Sequence, residues 1–129
     1  MKIPRIQTIL YANAGFCLFS ALVIVLFSGL LARYVINLPS LVFIALAVGL
    51  ILFALDVFLT ARQVAPTRGK VLYILYADLA WVLLTPVVMV ALNDRLTRLG
   101  NLVLVDIALI VSAFAALEWL ALRKREARQ

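Results

Sequence analysis

The chain contains the segment Ile9-Leu10-Tyr11-Ala12-Asn13, and 65 residues later it contains the closely similar Ile74-Leu75-Tyr76-Ala77-Asp78. A second match has an offset of 62, where Ala-Leu-Asp at residues 54–56 returns as Ala-Leu-Glu at residues 116–118. Both matches lie in strongly apolar surroundings. They predict that the chain consists of two tandem copies of one helical hairpin, with halves of about residues 1–66 and 67–129.

The composition indicates that these hairpins fold in a lipid bilayer. Of the 129 residues, 67% are hydrophobic, and the mean hydropathy is +1.16, whereas a soluble domain has roughly 45–50% apolar residues. Apolar runs long enough for the ~20 residues that cross a bilayer predict helices at about residues 8–32, 39–61, 70–92 and 101–122. We therefore expect an all-α membrane bundle of four transmembrane helices in a single domain. Because each half has two spans, the hairpins would be parallel-related, by a pseudo-twofold axis along the membrane normal.

The basic residues indicate orientation and partners. The net charge of +6 is concentrated at the ends of the apolar runs, which favours anionic lipid headgroups over nucleic acid. Nine lysines and arginines would lie on the side of the two termini and three on the other. The positive-inside rule then predicts that both termini lie in the cytoplasm. Besides the bilayer, a homodimer or a membrane partner protein is possible, because small residues recur every four positions in the second and fourth helices.

The repeat places one polar residue in each predicted helix at a similar depth. This polar ring comprises Asn13, Asp56, Asp78 and Glu118. Each lies roughly 8–12 Å inside the basic residue that bounds its helix, on the predicted cytoplasmic side. No lysine or arginine shares these apolar runs, so the acids could be protonated, bind a cation, or be reached by water or by the charged ends of Arg62 and Lys70. We expect the polar faces to point to the bundle axis, because lipid offers no hydrogen-bond partners. Three close carboxylates repel one another, and at least one is expected to hold a proton.

Further candidate residues lie on the same helix faces or within about a turn of the ring: Tyr11, Ser20, Tyr76, Trp81 and Thr85. Three interpretations of the ring remain open. It could bind a proton, a cation or a cationic small solute, with the identity of any metal unknown. It could be a hydrogen-bonded lock that fixes helix register in an accessory or scaffold protein. It could also contact a partner protein or a lipid headgroup.

The sequence lacks the residues that several classes of function require. The chain has no histidine, which removes the commonest general base and metal ligand, and it has no phosphate-binding glycine loop or nucleophile elbow. Paired carboxylates can perform acid–base catalysis, but nothing in the sequence marks a substrate pocket. We therefore expect a non-enzymatic protein without a cofactor, whose best-supported role is binding or transport.

Asp106 lies apart from the ring, near the outer end of the fourth helix. We expect it to form a structural ion pair with Arg95 or Arg98, and a second, outer gate is the alternative. The pattern of residues 10–33 and 78–83 resembles small bacterial four-helix membrane proteins. That resemblance covers most of the chain and implies the fold and a location in a bacterial inner membrane, but no activity.

Overall fold

The computed structural model describes residues 5–64 and 66–127, and this part of the chain is almost entirely helical. It contains five helices: α1 (Ile6–Leu26), α2 (Ser28–Tyr34), α3 (Ser40–Ala61), α4 (Arg68–Ala91) and α5 (Arg98–Ala127). Four of them, α1, α3, α4 and α5, are long and apolar enough to cross a membrane. The chain is therefore an all-α, multi-pass membrane protein.

The first predicted helix is divided in the structure. Phe27 has φ −118° and ψ 24°, away from helical values, and separates α1 from the seven-residue α2. The two residues that follow, Ser28 and Gly29, form a pair of the kind at which helices commonly kink. The Phe27 amide still donates to the carbonyl of Val23, and the Leu31 amide to that of Phe27, at 2.9 Å each. The helical hydrogen-bond pattern therefore continues across the break.

The last helix is longer than predicted. It continues to Ala127 rather than ending near residue 122, because residues 123–127 are arginine, lysine, glutamate and alanine, all good helix formers. The second and third spans begin and end within two residues of their predicted bounds.

The helices pack unequally. α1 packs most extensively against α3, and α4 against α5, whereas a smaller α1–α5 interface joins the two pairs. The largest fully buried apolar side chains lie towards the end of the bundle that carries the termini, and include Leu10, Val57, Val71 and Ile74. Because lipid is as apolar as leucine, close contact between helices provides the stabilisation there. The symmetry between the two halves remains a prediction.

At the opposite end, the two connecting segments 34–37 and 95–97 bind each other, and we call them the loop clasp. Ile36 and Leu96 form an isolated antiparallel bridge. The amide of Asn37 donates to the carbonyl of Arg95 at 2.9 Å, and the amide of Thr97 donates to the carbonyl of Val35 at 3.1 Å. These bonds connect the first half of the chain to the second outside the apolar spans.

The prediction that Asp106 forms an ion pair with Arg95 or Arg98 is wrong. Asp106 is exposed and forms no ion pair with a residue that the structure describes, while the Arg95 guanidinium donates to the carbonyl oxygen of Asn37 at 3.3 Å. The reason is distance along the helix. Asp106 lies eight residues beyond Arg98, about 12 Å along α5, too far for a direct contact.

Candidate functional site

Three members of the polar ring meet inside the bundle. The Asn13 side-chain amide donates to Asp78 Oδ2 at 2.9 Å and to Glu118 Oε1 at 2.8 Å. The exposed fractions are 2% for Asn13, 5% for Asp78 and 0% for Glu118. We call Asn13, Asp78 and Glu118 the buried triad, because they form one hydrogen-bonded cluster that connects α1, α4 and α5.

Helical spacing explains why these side chains point inward. Asn13 lies on the buried face of α1 with Leu10 and Cys17, three residues before and four after it, so they share one side of the helix. Asp78 follows the buried Ile74 by four residues on α4. Glu118 follows the buried Ala115 by three on α5. The triad therefore occupies positions at which each helix otherwise presents apolar side chains to the interior.

Not every side-chain oxygen of the triad has a hydrogen-bond partner among the described residues. A side-chain amide has two N–H donors, and the Asn13 amide gives one to each carboxyl group. The other carboxyl oxygen of Glu118, Oε2, is buried and has no hydrogen-bond partner in the described part of the chain. Since one nitrogen bonds oxygens of both acids, the two carboxyl groups are close neighbours and share the Asn13 amide as a donor.

Cys17 adds a contact that was not among the predicted site residues. Its thiol donates to Asn13 Oδ1 at 3.6 Å, which holds the amide with its N–H groups towards the acids. The four-residue spacing from Asn13 was the sequence signal that could have identified it.

The arrangement gives little support to a metal ion. Hard cations bind carboxylate and carbonyl oxygens, but here the NH₂ group of Asn13 lies between the two carboxyl groups. Among the described residues, no group of three or more histidine, cysteine, aspartate or glutamate side chains could hold a metal.

Asp56 does not join the other members of the predicted ring. It accepts from Lys70 Nζ at 3.3 Å, and its side chain is 35% exposed. The buried positions of α3 at this level are Val57 and Thr60, so the helix turns Asp56 away from the axis. Lys70, near the start of α4, reaches back to Asp56, which is one of the alternatives that the sequence left open for the acids.

The Asp56–Lys70 pair is expected to contribute little stability. Both side chains are substantially exposed, and exposed ion pairs typically contribute about 0.2–1 kcal/mol. A double-mutant cycle with Asp56→Asn and Lys70→Gln, measured by thermal unfolding in detergent, should give a coupling energy below about 1 kcal/mol. A clearly larger coupling would mean that water does not reach the pair.

The remaining candidate residues do not hydrogen-bond to the triad in the described structure. Tyr11 and Tyr76 are exposed on the outer surface of the bundle, and Ser20 and Trp81 are half-buried. Thr85 is buried, but its hydroxyl donates to the carbonyl of Trp81 at 2.9 Å. The repeat thus predicted the depth of these residues but not the direction in which each faces.

A comparison of the chain with protein-family models, curated proteins and solved structures finds no match. Inferences about function therefore depend on the geometry of the membrane bundle and of the buried triad.

Proposed function

We propose that this chain is a bacterial inner-membrane protein that binds a proton at the buried triad and takes part in proton transport. The observation that carries the proposal is the shared amide: two buried carboxyl groups both accept from Asn13, and Glu118 Oε2 has no hydrogen-bond partner among the residues that the structure describes. We further propose that both termini are cytoplasmic, that the two hairpins are related by a pseudo-twofold axis, and that the protein has no catalytic activity.

The charge of the triad supports a bound proton. An acid at the centre of a membrane helix costs about 2.5–3.5 kcal/mol on insertion scales, and less towards the interface, and two adjacent negative charges repel strongly where the dielectric constant is low. Lys70 is the basic residue nearest in sequence to Asp78, and it is paired with Asp56 instead. A proton held by the two carboxyl groups lowers both costs without a basic partner.

A proton fits the triad better than the other ligands predicted from the sequence. The three side chains are between 0% and 5% exposed, which leaves no room for a cationic solute among them. The Asn13 NH₂ group lies where a metal cation would need an oxygen. A proton needs neither space nor a new ligand.

A structural lock in an accessory or scaffold protein is the second candidate. It is favoured by the position of the triad, which connects α1 to α4 and α5 across the smaller interface between the helix pairs. In that case the hydrogen bonds would set the register of the halves, and proton binding would have no role.

The two candidates predict different pH dependence. If the folded protein holds a proton that the unfolded chain releases above about pH 5, the folded state binds more protons and stability must fall as pH rises. The melting temperature in detergent should therefore decrease between pH 5 and pH 9. The variant Asp78→Asn/Glu118→Gln, in which neither side chain titrates, should lose most of this slope.

Asp56→Asn provides the matched control, because it removes an acid from a similar depth outside the triad. It should keep the slope of the unmodified protein. A flat profile in the unmodified protein, together with destabilisation by Asp78→Leu, would contradict proton binding and favour the lock. For transport, proteoliposomes containing a pH-sensitive dye should acidify or alkalinise under a membrane potential, and the double variant should abolish that change.

A further inference from the structure

An apolar groove runs along the outside of the bundle between α1 and α3. Its walls include Tyr11, Gly15 and Leu18 from α1, and Ile51, Leu55 and Phe58 from α3. The groove has a volume of about 490 Å³, within the range of sites that hold small organic ligands. Among its lining residues, only Tyr11 carries a polar side-chain atom.

The glycine makes room for an occupant. A Cβ atom placed on Gly15 would meet nothing within 4 Å, so the space above it is open and not filled by a neighbouring helix. Tyr11 and Phe58 bridge the two helices by an edge-to-face contact, with ring centroids 5.5 Å apart. This pair lies at the end of the groove nearest the termini.

One basic side chain continues the row that lines the groove. Arg62 follows Phe58 by four residues, as Leu55 follows Ile51, and its backbone is still in the helical region. Residues at this spacing lie on the same helix face, so Arg62 is placed one turn beyond the apolar groove. Its side chain is exposed and has no ion-pair partner in the described part of the chain.

The length of the combined surface matches one leaflet. From Ile51 to Arg62 the helix rises about 16 Å, and half of the ~30 Å hydrocarbon core is about 15 Å. A hydrocarbon chain lying in the groove from its deep end would therefore bring its headgroup to the level of Arg62. A cation at that level favours a negatively charged headgroup.

We infer that the α1–α3 groove is a binding site for one anionic phospholipid, with an acyl chain against Gly15 and the headgroup phosphate at Arg62. This site is separate from the buried triad and does not depend on proton binding. The test is native mass spectrometry of the protein extracted from nanodiscs that contain equal amounts of phosphatidylglycerol and phosphatidylcholine. The unmodified protein should retain one lipid, with phosphatidylglycerol preferred.

Two substitutions separate the parts of the site. Arg62→Gln should reduce the preference for phosphatidylglycerol about fivefold, the factor that corresponds to one basic residue near an anionic surface. Gly15→Leu fills the groove and should reduce retention of both lipids. The matched controls are Gly49→Leu, at a glycine of α3 with equally open surroundings, and Lys124→Gln, at an exposed cation of α5. Both controls should leave retention and preference unchanged.

Three outcomes would overturn the inference. Equal retention of the two lipids by the unmodified protein would remove the role of Arg62. Equal behaviour of Gly15→Leu and Gly49→Leu would show that lipid is held elsewhere. A loss of dimer in Gly15→Leu with unchanged lipid retention would show that a second copy of the chain occupies the groove.

Discussion

Replacing Asn13 with leucine is expected to lower the free energy of unfolding by about 3 kcal/mol or more. A hydrogen bond to a charged group contributes about 1.5–3 kcal/mol, and Asn13 donates two bonds to carboxyl groups. Leucine has a similar size but no donor. The two acids would then remain buried without the donor that Asn13 provides. Leaving a buried polar group without its partner costs more than the net contribution of the hydrogen bond itself. Thermal and chemical unfolding in detergent would measure the loss.

Two comparisons make this result specific to the triad. Ala12→Leu changes the exposed neighbour of Asn13 and should alter stability by less than about 0.5 kcal/mol. Replacing Asp78 and Glu118 with leucine together with Asn13 should recover much of the loss, because removing all partners leaves no buried polar group unsatisfied. If Asn13→Leu alone costs under 1 kcal/mol, the shared amide does not hold the acids.

Gly100→Ala is expected to lower the free energy of unfolding by about 3 kcal/mol, the upper end of the usual range for overpacking. A Cβ atom at residue 100 would overlap the carbonyl oxygen of Val35 and lie 2.9 Å from its carbonyl carbon. Both are backbone atoms, so no side chain can move aside. The Gly100 amide also donates to Thr97 Oγ1 at 2.9 Å, which fixes the position of Gly100 at the start of α5.

The resulting shift should open the loop clasp. Hydrogen exchange of the Asn37 and Thr97 amides, which donate across the clasp, should accelerate in Gly100→Ala, while the Leu10 amide in α1 should exchange as before. Gly15→Ala and Gly49→Ala are suitable controls, because a Cβ at either position meets nothing within 4 Å. Unchanged exchange at Asn37 and Thr97 would contradict the close approach of the two segments.

The sequence was sufficient to predict the spans and the class of protein. Whether a helix crosses a membrane depends on local properties, namely the length of an apolar run and the absence of charge from it. The apolar runs therefore identified four long helices without information on their packing. The break at Phe27 was not predicted, although the Ser28–Gly29 pair that follows it was an available sequence signal.

The sequence predicted the arrangement of the polar ring only in part. Depth follows from counting residues along a helix at a constant rise, and counting placed Asn13, Asp78 and Glu118 near one level. The direction of a side chain around the axis depends on how each helix is rotated against its neighbours. For that reason Asp56, at a comparable depth, faces outward and pairs with Lys70.

The sequence by itself thus determined the membrane environment, the number of spans and the depth of the polar residues, because these depend on short stretches of chain and on the thickness of a bilayer. The tertiary structure decided which polar groups meet. One asparagine became the common donor of two acids, and Gly100 came to lie against Val35. Both contacts join residues more than 60 positions apart, and their formation depends on helix rotation and loop geometry that no local pattern encodes.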